Sequence, residues 1–421
     1  MDLVTRALDR AGRRESPRSL SPASHQLREG RSPTATALSA LALAASVLLV
    51  GACGRVAATP VATSTAPSSS GVSSTSGTTT STTSSTTTTT VPVPGPGGYD
   101  VGWTFANWVE PGGTTYDYFT GTTTPGRALQ VDIYYPTFGG SRASDTLYAP
   151  PAAIAGGFPL VVFAHGYDVD PTVYLPLLDS WVRAGFVVAA PVFPDTSESA
   201  VVAQHGVNTE GDQFNQPQDV AFVVNELVDA ARGGAVAGAT FLDGRIDTAA
   251  VALAGQSDGA DTVGALLFDS AYAPVNRGLV VQPGAVLLLS GAEWTRAEDS
   301  YSPPPAAQPA VLVVQSATDA CNVPQDSVQL YNMVGQPKWY LGLDDASHLG
   351  PYTGDQPAAG VVEAVTTRFL EVALRPGTVS TTTLQRAGEV PGVSSITEAP
   401  SVPAIAPPPV KPGVDPCAAA P

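Results

Sequence analysis

Ala250-VALAGQSDGADTVGALL-Phe268 is the stretch on which the fold turns. Its first part, Ala250-VALAG-Gln256, is a continuous apolar run of strand length. Its last part, Asp261 to Phe268, places apolar residues at helical spacing. Between them stands Gly255-Gln256-Ser257-Asp258-Gly259, which matches G-x-S-x-G. A serine on such a sharp strand-to-helix turn has its hydroxyl presented at the carboxyl edge of a sheet. Gly255 and Gly259 leave room where side chains would clash in so tight a bend. Taken alone, the pentapeptide reads equally well as a Gly-rich loop after a strand. Its weight comes from the surroundings.

Working outward, other apolar, Val-rich runs alternate with helical patterns. The strand candidates are Leu129-QVDIYY-Pro136, Pro159-LVVFA-His165, Phe186-VVAAPV-Phe193, Ala285-VLLLS-Gly291, Ala310-VLVVQ-Ser316 and Lys338-WYLGL-Asp344. Helices are predicted over Val173–Ala184, Gln218–Arg232, Asp261–Phe268, Gln325–Val334 and Gly360–Leu374. Continuous rather than alternating apolar runs mark strands buried on both faces. The expectation is an α/β fold with a mostly parallel, doubly wound sheet, in a single domain over residues 99–375.

The flanks differ in kind. Residues 1–53 begin polar and Arg-rich and end in Ala37-LSALALAASVLLVGA-Cys53, an apolar run too short for the ~20 residues of a spanning helix. A basic region, an apolar core and small closing residues make a secretory signal. The ending Val50-Gly51-Ala52-Cys53 resembles a lipobox, in which Cys53 is lipidated, so the protein is expected outside the cytoplasm, lipid-anchored to the cell membrane. Residues 54–98 collapse to Ser, Thr, Pro, Gly and Val, with the run Thr86-TTTT-Val91, and cannot bury enough surface to offset chain entropy. They are expected to form a disordered stalk. Residues 376–421 form a similar Pro-rich tail, of which Leu384 to Ile396 carries enough apolar residues to pack on the domain. The formal charge of -17 disfavours nucleic acid and anionic surfaces as partners. Three Cys and four His speak against a Cys/His metal site. No metal or cofactor is expected, and the chain is expected to be a monomer.

A serine nucleophile needs a base within hydrogen-bond reach, and His is the usual one because its pKa lies near neutrality. His25 lies in the export segment, and His165 and His205 precede Ser257. His348, in the loop Asp344-DAS-His348 after a strand, is the candidate. The orienting acid is expected at a strand end of its own, and Asp319 in Gln315-SATD-Ala320 meets that condition. The oxyanion donors are expected to be the backbone amides of Asp258, next to the nucleophile, and of Tyr167, after the strand ending Phe163-AHG-Tyr167. With Cys53 lipidated, Cys321 and Cys417 are the remaining thiols, in a compartment where thiols oxidise, and a bridge between them is predicted. Two free thiols are the alternative.

The chain resembles bacterial α/β-hydrolases related to plasma-type platelet-activating-factor acetylhydrolase, dienelactone hydrolase and the cutinase-like polyester hydrolases. The matching points are Asp132-IYYP-Thr137, Phe158-PLVVFAHGY-Asp168, Val188-AAPVFPDT-Ser197, Asn215-QPQDVAFVV-Asn225, the Ser257 elbow, Asp319 and His348. The resemblance implies an α/β-hydrolase fold and cofactor-independent ester hydrolysis through an acyl-enzyme on small-molecule or lipid esters. It departs at Gln256, where many relatives have His, and at Asp258, where cutinases have Met. An acid beside the oxyanion hole disfavours anionic substrates. Asp219 reads as a structural residue capping the helix Gln218–Arg232. A peptidase or amidase with the same triad, and a non-catalytic surface module, are the competing readings.

Overall fold

The structure is a computed structural model describing residues 98–138, 145–292, 308–410 and 417. The export segment, Cys53 and the Ser/Thr stalk lie outside the described residues. Within them the chain forms strands β1 Asp100–Asp117, β2 Thr122–Thr137, β3 Thr146–Leu147, β4 Phe158–Ala164, β5 Val187–Val192, β6 Ile246–Gln256, β7 Ala285–Leu289, β8 Ala310–Ser316, β9 Lys338–Leu343 and β10 Ser394–Thr397. All join one sheet, in the order β10-β9-β8-β7-β6-β4-β5-β2-β1-β3. The centre, β5-β4-β6-β7-β8-β9, is parallel throughout. At one side β2 runs antiparallel to β5, and β1 to β2; at the other, β10 runs antiparallel to β9.

Helices of eight residues or more are α1 Leu175–Arg183, α2 Gln216–Ala231, α3 Asp258–Phe268, α4 Pro324–Met333, α5 Ala358–Leu374 and α6 Thr381–Gly388. They cover both faces of the sheet. Along β4, Leu160, Val162 and Ala164 join the core packed by α2, α3 and α4, while Val161 and Phe163 join the core packed by α1 and α5. Period-two alternation thus sends successive residues into two different cores, and every position must be apolar. This is why the strands read as unbroken apolar runs.

Three expectations need correction. The strand β1 was not expected, because Glu110-Pro111-Gly112-Gly113 interrupts its alternation. Here the β1–β2 ladder shifts register between Glu110 and Thr114, and the bulge keeps both halves paired. The domain also does not end at Arg375. The expected packing of Leu384 to Ile396 is present, with Leu384 of α6 and Ile396 of β10 buried and Ser394–Thr397 paired with β9, and Val402 and Ile405, for which no packing was expected, also lie against the core. Asn332 holds this last stretch, donating to the Val402 carbonyl at 3.0 Å and accepting its amide at 2.8 Å. A proline-rich chain can dock in this way because side chains of the domain satisfy its backbone.

Asp219 is not a helix cap. It lies in the first turn of α2, and its carboxylate is gripped by the fully buried Arg127, whose Nε and Nη2 donate to it at 2.8 Å. Arg127 also donates to both oxygens of Asp212, at 2.9 and 2.7 Å, and to the Thr114 carbonyl at 3.0 Å. One guanidinium thereby ties the start of α2, the loop before it and the β1–β2 hairpin together. Removing one partner of so buried a pair typically costs about 3–5 kcal/mol, because the other charge stays uncompensated.

Candidate active site

Each candidate residue follows a strand of the parallel centre. Ser257 follows β6, His165-Gly166-Tyr167 follows β4, Asp319 lies beyond β8 and His348 beyond β9. Parallel strands end on the same edge, so four segments far apart in sequence meet there.

Ser257 has φ 54° and ψ -126°, a conformation that L-residues rarely adopt. Its amide is held by the Leu289 carbonyl at 2.9 Å, and its carbonyl accepts the Ala260 amide at 2.8 Å. The two glycines are steric requirements. A side chain on Gly255 would run into the Gly259 carbonyl, and one on Gly259 into the Ala164 carbonyl. The bend therefore presses the start of α3 against both β6 and β4.

The structure brings Ser257, His348 and Asp319 into one chain. His348 Nε2 lies 2.8 Å from Ser257 Oγ, and His348 Nδ1 lies 2.8 Å from Asp319 Oδ2. Asp319 is a carboxylate and accepts, so Nδ1 carries the proton and Nε2 is free to accept the Ser257 hydroxyl proton. Asp319 is buried and further held by the Cys321 amide on Oδ1 at 2.9 Å and Gln315 Nε2 on Oδ2 at 3.2 Å. Ser316 Oγ ties the acid loop to the histidine loop, accepting the Ala346 amide at 3.0 Å. Ser257 is 9% exposed and the His348 side chain 9%, enough to be reached but little enough to strengthen electrostatic contacts.

The Gly166 turn lies directly against Ser257. A Cβ on Gly166 would fall 3.2 Å from Ser257 Cβ and 2.9 Å from Gln256 Oε1. Among the described residues neither the Tyr167 nor the Asp258 amide has an acceptor. His165 shapes the turn. Its Nδ1 donates to the Gly166 carbonyl at 2.7 Å and its Nε2 accepts the Phe193 amide at 3.0 Å. Both contacts fit one neutral tautomer, and full burial pushes this imidazole down to about 4. Tyr167 Oη accepts the Thr209 amide at 3.2 Å, and Gln213 Nε2 donates to the Asp258 carbonyl at 3.1 Å. The loop 209–214 thus forms one wall of the site. Burial, then the charge of Glu210, pushes the Asp258 carboxyl up to about 7. Burial and the Asp258 charge push Asp261 well above the usual carboxylate range.

Cys321 and Cys417 are joined in a disulfide, which fastens the end of the tail beside the acid loop. Cys53 lies outside the described residues. Sequence reasoning missed a role for Tyr174 and Gln213, and noted Gln256 only as a departure from relatives. No local pattern marks them, since their partners lie 8 to 92 residues away.

A mostly parallel sheet wound on both faces, with a serine turn after β6 and acid- and histidine-bearing loops after later strands, is the α/β-hydrolase fold. No protein-family model matches the chain, and no curated protein does. Among solved structures it is similar to a ferulic acid esterase from Streptomyces cinnamoneus, with a TM-score of 0.47 and 17% identity over 70% of this chain and 95% of that one.

Proposed function

We propose that the protein is a serine-dependent carboxylic ester hydrolase that works through an acyl-enzyme. The observation that carries this is the hydrogen-bonded chain Ser257–His348–Asp319 at a strained turn. His348 Nε2 takes the Ser257 proton as Oγ attacks the ester carbonyl. Asp319 supports the imidazolium through Nδ1, and the oxyanion sits on the amides of Asp258 and Tyr167. His348 then protonates the leaving alcohol, and in the second half-reaction it activates water to release the acid. Short acyl esters are favoured as substrates, and the enzyme acts outside the cytoplasm, anchored through a lipidated Cys53.

Incubation with a fluorophosphonate, followed by peptide mapping, tests the nucleophile, with the adduct expected on Ser257. Side-by-side turnover of nitrophenyl esters from two to twelve carbons and of peptide anilides tests the reaction class. Faster cleavage of anilides would replace the esterase reading with the amidase one. An unlabelled Ser257 with no turnover would leave a non-catalytic module.

A further inference from the structure

We propose that Gln256, the residue before the nucleophile, is a positioning residue: it locks the turn that carries the Tyr167 amide to the loop that carries His348, and it favours His348 as a neutral base. This deepens the hydrolase reading and rests on it. The two segments come from β4 and β9, which are separated in the sheet by β6, β7 and β8. Sheet pairing alone therefore does not set their spacing, and a tie is needed across the nucleophile.

That tie is a directed hydrogen-bond chain. The Gly166 amide donates to the Tyr174 hydroxyl at 3.2 Å, and Tyr174 gives its own proton to Gln256 Oε1 at 2.7 Å. Gln256 Nε2 then faces the His348 carbonyl at 3.2 Å and His348 Nε2 at 3.4 Å. The amide orientation is forced, because the His348 carbonyl can only accept, so the NH2 end must lie on its side. Gln256 and Tyr174 are buried, and the Tyr174 ring packs on Phe163 with centroids 4.9 Å apart, so neither can swing away without opening the core. An amide N–H pointing at Nε2 opposes a proton on that nitrogen, which favours the form able to accept from Ser257.

The ionisable groups around this chain are few. Asp319 faces the other ring nitrogen of His348. Tyr174 has its hydroxyl pushed far up by burial, and Asp258 acts on Tyr174 through its charge. A carboxylate in place of the Gln256 amide would be the nearest new charge to Nε2.

The test uses the full-length protein and two readouts. Gln256→Glu keeps the acceptor for Tyr174 but sets a carboxylate against His348, and an opposite charge within ~4–6 Å favours an ionised partner by one pH unit or more. The pH midpoint of the His348 ring protons, followed by NMR, is expected to rise by about one unit relative to the parent, and the acidic limb of kcat/KM for nitrophenyl acetate with it. Gln256→Ala is expected to lower kcat about tenfold with KM changed less than about twofold, since it loosens geometry rather than binding. Tyr174→Phe, which cuts the same chain at its middle, is expected to match it. An unmoved midpoint in Gln256→Glu, or kcat within twofold of the parent in both Gln256→Ala and Tyr174→Phe, would overturn the proposal. If the parent hydrolysed no ester, the esterase reading would fall, while the NMR midpoint would still decide the role of Gln256.

Discussion

Breaking the Cys321–Cys417 bridge should cost the domain far less than the length of its loop suggests. The bridge spans a sequence separation of 96 residues, for which the chain-entropy relation gives ~4.7 kcal/mol of restraint on the unfolded chain. That figure assumes the native state gains nothing when the bridge opens. The tail, however, is already docked as far as Ile405, whose amide donates to Gln325 Oε1 at 3.2 Å and whose side chain packs on the core. Opening the bridge in the folded protein frees only the twelve-residue step from Ile405 to Cys417, and the same relation assigns ~2.8 kcal/mol to closing so short a loop. The difference, about 2 kcal/mol, is the expected loss of stability in Cys417→Ser, with a thermal midpoint lower by about 3 °C. Cys417 is the residue to change, because the Cys321 amide holds Asp319. Urea unfolding of parent and variant measures the difference, and esterase turnover at room temperature should stay within about twofold. A loss near 5 kcal/mol would show that residues 381–405 leave the domain with the bridge, and no loss would show that the bridge does not form. Either result refutes the docked-tail account.

Ser257→Ala and His348→Ala should each lower ester turnover by several orders of magnitude, and the double variant should be no worse than the worse single one, because the residues act as a unit; near-normal kcat in either would remove the triad. Asp258, with its carboxyl raised to about 7 by burial, keeps its proton in the fold up to that pH but in the unfolded chain only to about 4. The folded state therefore binds more protons between those values, and stability should fall as pH rises from about 4 to about 7. Asp258→Asn should flatten this slope in urea midpoints measured across that range, and above pH 7, where the Asp258 carboxyl is ionised, it should speed hydrolysis of hemisuccinate esters relative to acetates; an unchanged slope and an unchanged ratio would exclude an influential Asp258. Cys53→Ser should release the protein from the membrane fraction with unchanged specific activity, and mass spectrometry finding an unmodified Cys53 in the mature protein would end the lipid-anchor proposal.

Much of the fold was legible because its cause is local. A strand buried on both faces must be apolar at every position, so β4, β5, β6, β7 and β8 announce themselves as short Val- and Leu-rich runs. The half-exposed β1 does not, since its alternation is broken by Pro111-Gly112-Gly113. The Ser257 turn was legible for the same local reason: two glycines are demanded where the backbone of α3 crosses β4 and β6 at contact distance. Asp319 and His348 were legible one step less directly, as polar residues placed just past strand ends in the required order.

By itself, then, the sequence determined the sheet type and the strained turn, which neighbours within a few positions dictate, and, through the order of strand ends along the chain, the identity of the three residues that meet at the sheet edge. The tertiary structure alone decided that Gln256 and Tyr174 bridge the Gly166 turn to the His348 loop, that Arg127 holds Asp212 and Asp219, and that the proline-rich stretch beyond Ile396 packs on the domain as far as Ile405. Those contacts join residues whose separations run to 92 positions, and a lone Gln, Arg or Leu carries no local mark of its partner. A buried polar side chain is specified by whatever donor or acceptor the folded chain brings to it, and that is fixed only when the strands have found their order.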